Sequence, residues 1–385
     1  MSSSLTTLTA LTYVGMPPVW KPLTSARQLP EDAGEYFRDQ NSARFPKYPM
    51  EPAVRALLTQ NTGSSASNIN IFACGSTLGN LLRFVRKADK PFRFTVEAVG
   101  NTIFFVRREN APDERIIGVR GYGHTFPEAY TQWHDEVKNS ASHQRLIQYT
   151  FAGLNCVVRF EGDGYLKHLA GEDVCETISL DLPVVDGLVI QQGGRGIAQE
   201  SVFDLKTRSV KRKLDDILTE ELPRLWVTQI PNFVLAFHEH GTFTKDDISI
   251  RDVRKEVGDW EKQNQGDLRM LGKLMNKLVD LVKGVPGRRC EVRCLEIGML
   301  EIHRQLDDAP LAMSPDLHLA WTHMKFASDS DDDGPLGGAR LSSSDGGESD
   351  DEDSIRGVDL ASFSDEDSGP DFTACSAACG YCGRC

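Results

Sequence analysis

Val157-Val158-Arg159-Phe160-Glu161-Gly162-Asp163-Gly164-Tyr165 and, further on, Ser201-Val202-Phe203-Asp204-Leu205-Lys206-Thr207-Arg208 decide how this chain is read. Both stretches alternate apolar and polar residues with a period of two, which predicts half-buried strands carrying their charges along one face. Glu161 and Asp163 share a face, as do Asp204 and Lys206. Three carboxylates crowded beside one lysine repel one another and give up their water at a cost. A divalent cation resolves that conflict, and hard oxygen donors of this kind suit Mg²⁺ or Mn²⁺. A lysine beside such an ion can hold a water or help to deprotonate it.

Working upstream, Gly121-Tyr122-Gly123-His124-Thr125-Phe126-Pro127-Glu128 predicts a helix with Pro127 in its first turn, running on through Trp133 and Val137. Glu128 then points toward the strand face of Glu161 and Asp163. A second helix is expected from His143 to Tyr149. Ile69–Cys74 predicts a strand and Leu78–Val85 a helix, while Phe92–Val99 and Thr102–Arg107 predict a hairpin turning at Gly100-Asn101. Ile116–Val119 reads as a further strand and Glu51–Gln60 as a short helix. Downstream, a helix is expected over Leu214–Leu222, followed by an apolar run, Leu225–Phe237, that holds the polar Gln229 and Asn232. Asp267–Lys283 keeps apolar residues at i, i+3, i+4 and i+7, an amphipathic helix that stops at Gly284-Val285-Pro286-Gly287. Glu291–Ile302 reads as a closing strand.

The 385 residues are 40% hydrophobic, enough for a substantial core. Four segments are expected: an extended N-terminal arm (1–50), an α/β domain (51–327), a disordered acidic tail (328–372) and a Cys-rich C-terminus (373–385). The net charge of −13 belongs to the tail: 15 of the 56 acidic and 2 of the 43 basic residues lie between Ser328 and Asp371, leaving 41 of each elsewhere. Global acidity therefore does not argue against a nucleic-acid cleft in the body. With no apolar run near 18 residues and no secretory pattern at the start, an intracellular protein is expected, in nucleus or cytoplasm, with reduced cysteines. The acidic tail offers a surface for a protein partner, and its Ser328, Ser330, Ser349 and Ser364 suit an acidophilic kinase.

A Glu-x-Asp strand followed by an Asp-x-Lys strand resembles the PD-(D/E)XK nuclease core, a mixed β-sheet flanked by helices. The flanking segments narrow the resemblance. Gly121-Tyr122…Phe126-Pro127-Glu128, Glu161-Gly162-Asp163, Asp204-Leu205-Lys206 and Trp226-Val227-Thr228-Gln229 follow one another in the order of motifs in the DXO-like family of 5′-end RNA decapping nucleases. The first motif departs by two extra residues and a proline, and the third has Asp204 where the family has glutamate. The resemblance implies a metal-dependent nuclease acting on RNA at its 5′ end, by decapping or 5′–3′ exonuclease chemistry. Glu128, Glu161, Asp163 and Asp204 would hold Mg²⁺ or Mn²⁺, Lys206 would orient the attacking water, and Gln229 would contact that water or the phosphate.

Arg208, Lys211, Arg212 and Lys213 are candidates for the nucleic-acid backbone, although a solvated basic face or an import signal uses the same residues. His124 and His143 read as structural. Cys375, Cys379, Cys382 and Cys385 have a spacing that fits Zn²⁺, against a flexible reduced tail. Two other readings are a catalytically weak family member that binds nucleic acid or a partner protein, and an isoprenoid diphosphate synthase gripping Mg²⁺-diphosphate through aspartates on helices. The second requires an all-helical barrel, which the strand patterns oppose.

Overall fold

Among the described residues, fourteen strands fall into two mixed sheets, and the spacing of apolar residues explains which strands are covered on both faces. The computed structural model describes residues 9–59, 68–88, 90–109, 111–173, 188–296, 298–305, 309–323 and 354–359. In chain order the sheet strands are β1 (Val19–Trp20), β2 (Ile71–Cys74), β3 (Phe92–Val99), β4 (Thr102–Arg107), β5 (Thr131–Gln132), β6 (Gln144–Phe151), β7 (Leu154–Glu161), β8 (Gly164–Tyr165), β9 (Val202–Ser209), β10 (Asn232–His238), β11 (Ile248–Asp252), β12 (Arg289–Cys294), β13 (Met299–Arg304) and β14 (Ser354–Asp359). The helices are α1 (Gln40–Arg44), α2 (Glu51–Thr59), α3 (Gly75–Val85), α4 (Thr125–Tyr130), α5 (Ile217–Thr228), α6 (Arg254–Gln263), α7 (Gln265–Gly284) and α8 (Pro315–His323).

The larger sheet has the order β14-β13-β12-β3-β4-β2-β7-β6, and the smaller one β11-β10-β9-β8-β1-β5. Strands β4, β2 and β7 run parallel; the other pairs of the larger sheet are antiparallel. Its central strands are buried on both sides, which is why Ile71-Phe72-Ala73-Cys74 reads as an unbroken apolar run. One face (Ile71, Ala73, Val96, Val158) packs on α3, α5 and α7 through Leu81, Leu225 and Leu274. The other (Phe72, Phe104, Val157) packs on α2 and α8 through Val54, Leu317 and Trp321. The α/β class with a mixed sheet between helices is as expected, and the sheets exclude the all-helical barrel of a diphosphate synthase. Among the described residues no helix is long and apolar enough to cross a membrane.

Several local readings are corrected. The helix expected through Trp133 and Val137 ends at Tyr130, giving way to β5 and a single 3₁₀ turn at Asp135–Val137. His143–Tyr149 is not a helix but part of β6, which pairs with β7 across Ala152-Gly153, both at positive φ. Ile147, Tyr149 and Phe151 alternate onto the core, a period of two that their spacing also allows. The apolar run Leu225–Phe237 divides at Gln229, with α5 on one side and β10 on the other. Ile116–Val119 is reduced to a bridge at Arg115–Ile116, and the closing strand is a hairpin, β12–β13. The N-terminal arm is woven into the sheets, since β1 lies between β8 and β5, and Thr9–Gly15 runs parallel to Leu188–Gly194. Within the acidic stretch expected to be disordered, Ser354–Asp359 forms β14 against β13. An open sheet edge offers backbone donors and acceptors that a strand can pair without burying side chains. The rest of the tail, and Cys375, Cys379, Cys382 and Cys385, lie outside the described residues.

Candidate active site

The charged residues of the opening stretch meet where the chain changes sheets. Strand β7 ends in the larger sheet at Glu161, and β8 begins in the smaller one at Gly164. The two acidic residues therefore do not share one strand, as their spacing predicts; Asp163 sits in the link. Gly164 lies opposite Phe203 in the antiparallel pairing of β8 with β9, which brings Asp163 level with Asp204. Beyond Phe203 that edge of β9 has no strand partner among the described residues, and the Asp163 carboxylate accepts the Leu205 N–H there at 2.6 Å. A Cβ on Gly164 would come within 2.8 Å of both the Phe203 ring and the Pro18 carbonyl, so the crossing needs glycine there.

Strand β9 has two unlike faces. Phe203 and Leu205 pack with Val234, Ala236, Phe243 and the α4 residues Phe126 and Tyr130. Asp204, Lys206 and Arg208 lie on the other face, all buried (1%, 6% and 3% exposed). Against them α5 sets Glu221 and Arg224, three apart and so on one side of the helix. Arg224 forks onto both Asp204 oxygens through Nη1 and Nη2, and its Nε donates to Glu221 at 2.9 Å. Glu221 also faces Lys206 Nζ at 3.8 Å and Arg208 Nη2 at 3.7 Å.

Burial pushes the Asp163 carboxyl up to about 8, with repulsion from Asp204 and Glu161 adding and Arg224 and the Leu205 N–H opposing. Glu161 keeps an edge in solvent, yet the surrounding protein pushes its carboxyl up to about 7; Asp39 adds to the rise, and Arg107 and Arg44 oppose it. Glu221 is held low: burial alone would raise it, but the cations Lys206, Arg224 and Arg208 outweigh that. The same pairings hold Arg224 above its ordinary value against its own burial.

Asp163, Asp204, Lys206 and, at the rim, Glu161 are thus brought together. Glu128 is exposed on α4, which packs against the opposite face of β9, and its charge acts on Tyr36 and His124. Gln229 ends α5 in the left-handed conformation, its amide donating to the Trp226 carbonyl and its own carbonyl accepting from Gln199 at 2.9 Å. It serves as a helix stop, and Trp226 is tied to Glu261 at 3.1 Å. Arg208, expected to meet the nucleic-acid backbone, is buried with its guanidinium 3.7 Å from Glu221. Arg212 is paired with Asp215 and Glu220, and Lys213 with Asp247, while Lys211 is exposed. His124 stacks on Tyr36 at 3.7 Å, and His143 is half-buried.

Glu221 and Arg224 were not singled out in the sequence. The available signal is a Glu-x-x-Arg pair on the helix that follows the Asp-x-Lys strand. Asp39, Arg44 and Arg107 carried no such signal, since only the fold sets them beside Glu161. Among the described residues, no three His, Cys, Asp or Glu side chains converge as a ready-made metal site.

A family model described as "Domain of unknown function (DUF8563)" matches residues 5–299. No curated protein is similar in sequence. Solved structures with a similar chain path include Rai1 of Scheffersomyces stipitis in complex with (3′-NADP)⁺ and calcium ion, at 12% identity and a TM-score of 0.46, covering 78% of this chain and 99% of that one. Candida albicans Rai1 in complex with pU5-Mn²⁺ matches at 10% identity and 0.46, over 79% and 99% of the two chains. Dxo1 of K. lactis in complex with manganese matches at 9% and 0.38, over 74% and 91%.

Proposed function

This chain belongs to the DUF8563 family, and from its site we propose that it is a nuclease hydrolysing phosphodiester bonds in RNA, at the 5′ end. The observation that carries the reading is the meeting of Asp163 and Asp204, from separate segments, beside Lys206 on one face of β9. The motif order of the sequence supplies the choice of RNA and of its 5′ end.

The donor set suits a divalent ion in kind. Asp163, Asp204 and Glu161 offer hard carboxylate oxygens, and the rise of the Asp163 carboxyl reflects crowded negative charge that a cation would relieve. Mg²⁺ or Mn²⁺ held by these residues would neutralise charge developing on the phosphate and acidify the attacking water. Lys206, on the same face of β9 as Asp204 and with its ammonium 3.8 Å from Glu221, would orient that water. Asp163, anchored by the Leu205 N–H, would hold its carboxylate against the same point. Burial of this face keeps bulk water away from the charges and strengthens each interaction.

A second reading has support from one contact, the fork of Arg224 on Asp204. A protein whose acidic pair is already neutralised would bind RNA or a partner while cleaving weakly. Incubation with Mg²⁺ or Mn²⁺ and 5′-monophosphate, 5′-triphosphate and capped RNA, with single-stranded DNA as a control, separates the two. Release of nucleotides from RNA, lost in Lys206→Met and Asp163→Asn, is the expected result. Full cleavage by Lys206→Met would remove the proposed site.

A further inference from the structure

We propose that Arg224 is a resident cation holding Asp204 in place of a divalent ion, and that metal enters the site only when Arg224 leaves. The inference rests on the nuclease reading of Asp163 and Asp204 and adds a step to it. Three observations carry it.

The first is geometric. Both Nη atoms of Arg224 take one Asp204 oxygen each, so both oxygens of the carboxylate are engaged by one planar donor. The second is the balance of charge. Even with Asp163 ionised, as a bound cation would require, Asp163, Asp204 and Glu221 supply three negative charges against the three positive charges of Lys206, Arg208 and Arg224 at this face. A divalent ion added to that set would leave two positive charges in excess in a place that water barely reaches, which is costly. Departure of Arg224 removes one of them and frees the Asp204 oxygens. The third is mobility. Side-chain exposure is 27% for Arg224, against 2% for Asp204, 7% for Lys206, 2% for Arg208 and 8% for Glu221. Arg224 alone among these five has a path to solvent that does not open the core. A guanidinium released there matches an RNA phosphate through the same two-pronged geometry, so substrate can draw it off and admit the metal.

Titration of wild-type protein with Mn²⁺, followed by the loss of the free-ion electron paramagnetic resonance signal, tests this directly. Arg224→Gln, Arg224→Lys and Asp204→Asn/Arg224→Gln are titrated in parallel. Arg224→Gln is expected to bind Mn²⁺ about tenfold to a hundredfold more tightly than wild type, the span of one charge-assisted contact. Arg224→Lys, which keeps the charge but cannot fork, should fall between them and serves alone if Arg224→Gln does not fold. The double variant should lose the gain. Equal affinity in wild type and the Arg224 variants would overturn the proposal, as would a gain that survives in the double variant. Tighter Mn²⁺ binding through Asp204 without cleavage of any RNA leaves the proposal standing and removes the nuclease reading. RNA cleavage by wild type with the same Mn²⁺ dependence as Arg224→Gln does the reverse.

Discussion

Replacing Glu221 by Gln keeps its shape and removes one charge from a face crowded with opposed charges. Glu221 is 6% exposed and stands 2.9 Å from Arg224, 3.7 Å from Arg208 and 3.8 Å from Lys206. With the glutamate neutral, Lys206, Arg208 and Arg224 face Asp204 across the β9–α5 contact, and the Asp163 carboxyl nearby is itself pushed toward its neutral form. Removing one partner from a buried ionic network costs about 3–5 kcal/mol, because the remaining charges stay desolvated and lose their compensation. With a urea slope of about 3 kcal/mol/M, the unfolding midpoint should fall by about 1–1.7 M. Urea unfolding followed by tryptophan fluorescence reports on it directly, since Trp226 lies on the same helix. Glu221→Gln/Arg208→Met removes one of the cations that lost its partner and should recover at least half of the loss, a coupling expected only of residues in contact. A single variant whose midpoint stays within about 0.2 M of wild type would refute the network argument, as would a double variant that simply adds a second loss.

Gly164→Ala should destabilise by about 1–3 kcal/mol, because its methyl group meets Phe203 and the Pro18 carbonyl; an unchanged melting temperature would show that the sheet crossing is looser than described. His143 has its pKa pushed down to about 3 by burial and by Arg145. An unfolded histidine takes up its proton near pH 6.5, so the neutral folded ring contributes stability that is complete above that pH and is lost as pH falls toward 3. The loss is at most about 1.4 kcal/mol per pH unit, and His143→Gln should flatten the stability profile between pH 6 and 4.5 relative to wild type. Burial pushes the Cys156 and Cys290 thiols up to about 12. Both should resist iodoacetamide at pH 8 in the native protein and react once urea is added; rapid native labelling of either, seen by mass spectrometry, would contradict their placement in the core.

Periodicity made much of the framework legible. Phe92–Val99 and Thr102–Arg107 alternate around Gly100-Asn101, and they form the β3–β4 hairpin with Gly100 at positive φ. The apolar stripe of Asp267–Lys283 lies within α7, with Leu268, Leu271, Leu274, Met275 and Leu278 buried. Where apolar spacing fits both periods, tertiary pairing decided: His143–Tyr149 reads as a helix in isolation, and became a strand because β7 lies alongside to complete its hydrogen bonds. Gln229 shows the same limit from the other side. A single polar residue in an apolar run does not announce a helix end, yet its left-handed backbone is what turns α5 into β10.

The sequence by itself determined which residues carry charge at strand spacing, and hence that Asp204 and Lys206 share a face, because side-chain alternation is a local property of extended backbone. It could not decide what faces them. The crossing between sheets at Gly162-Asp163, the register that sets Asp163 opposite Asp204, and the helix that brings Arg224 onto that carboxylate all depend on contacts between segments far apart in the chain. Those contacts set opposed charges around the carboxylates expected at the site, with an arginine forked onto one of them.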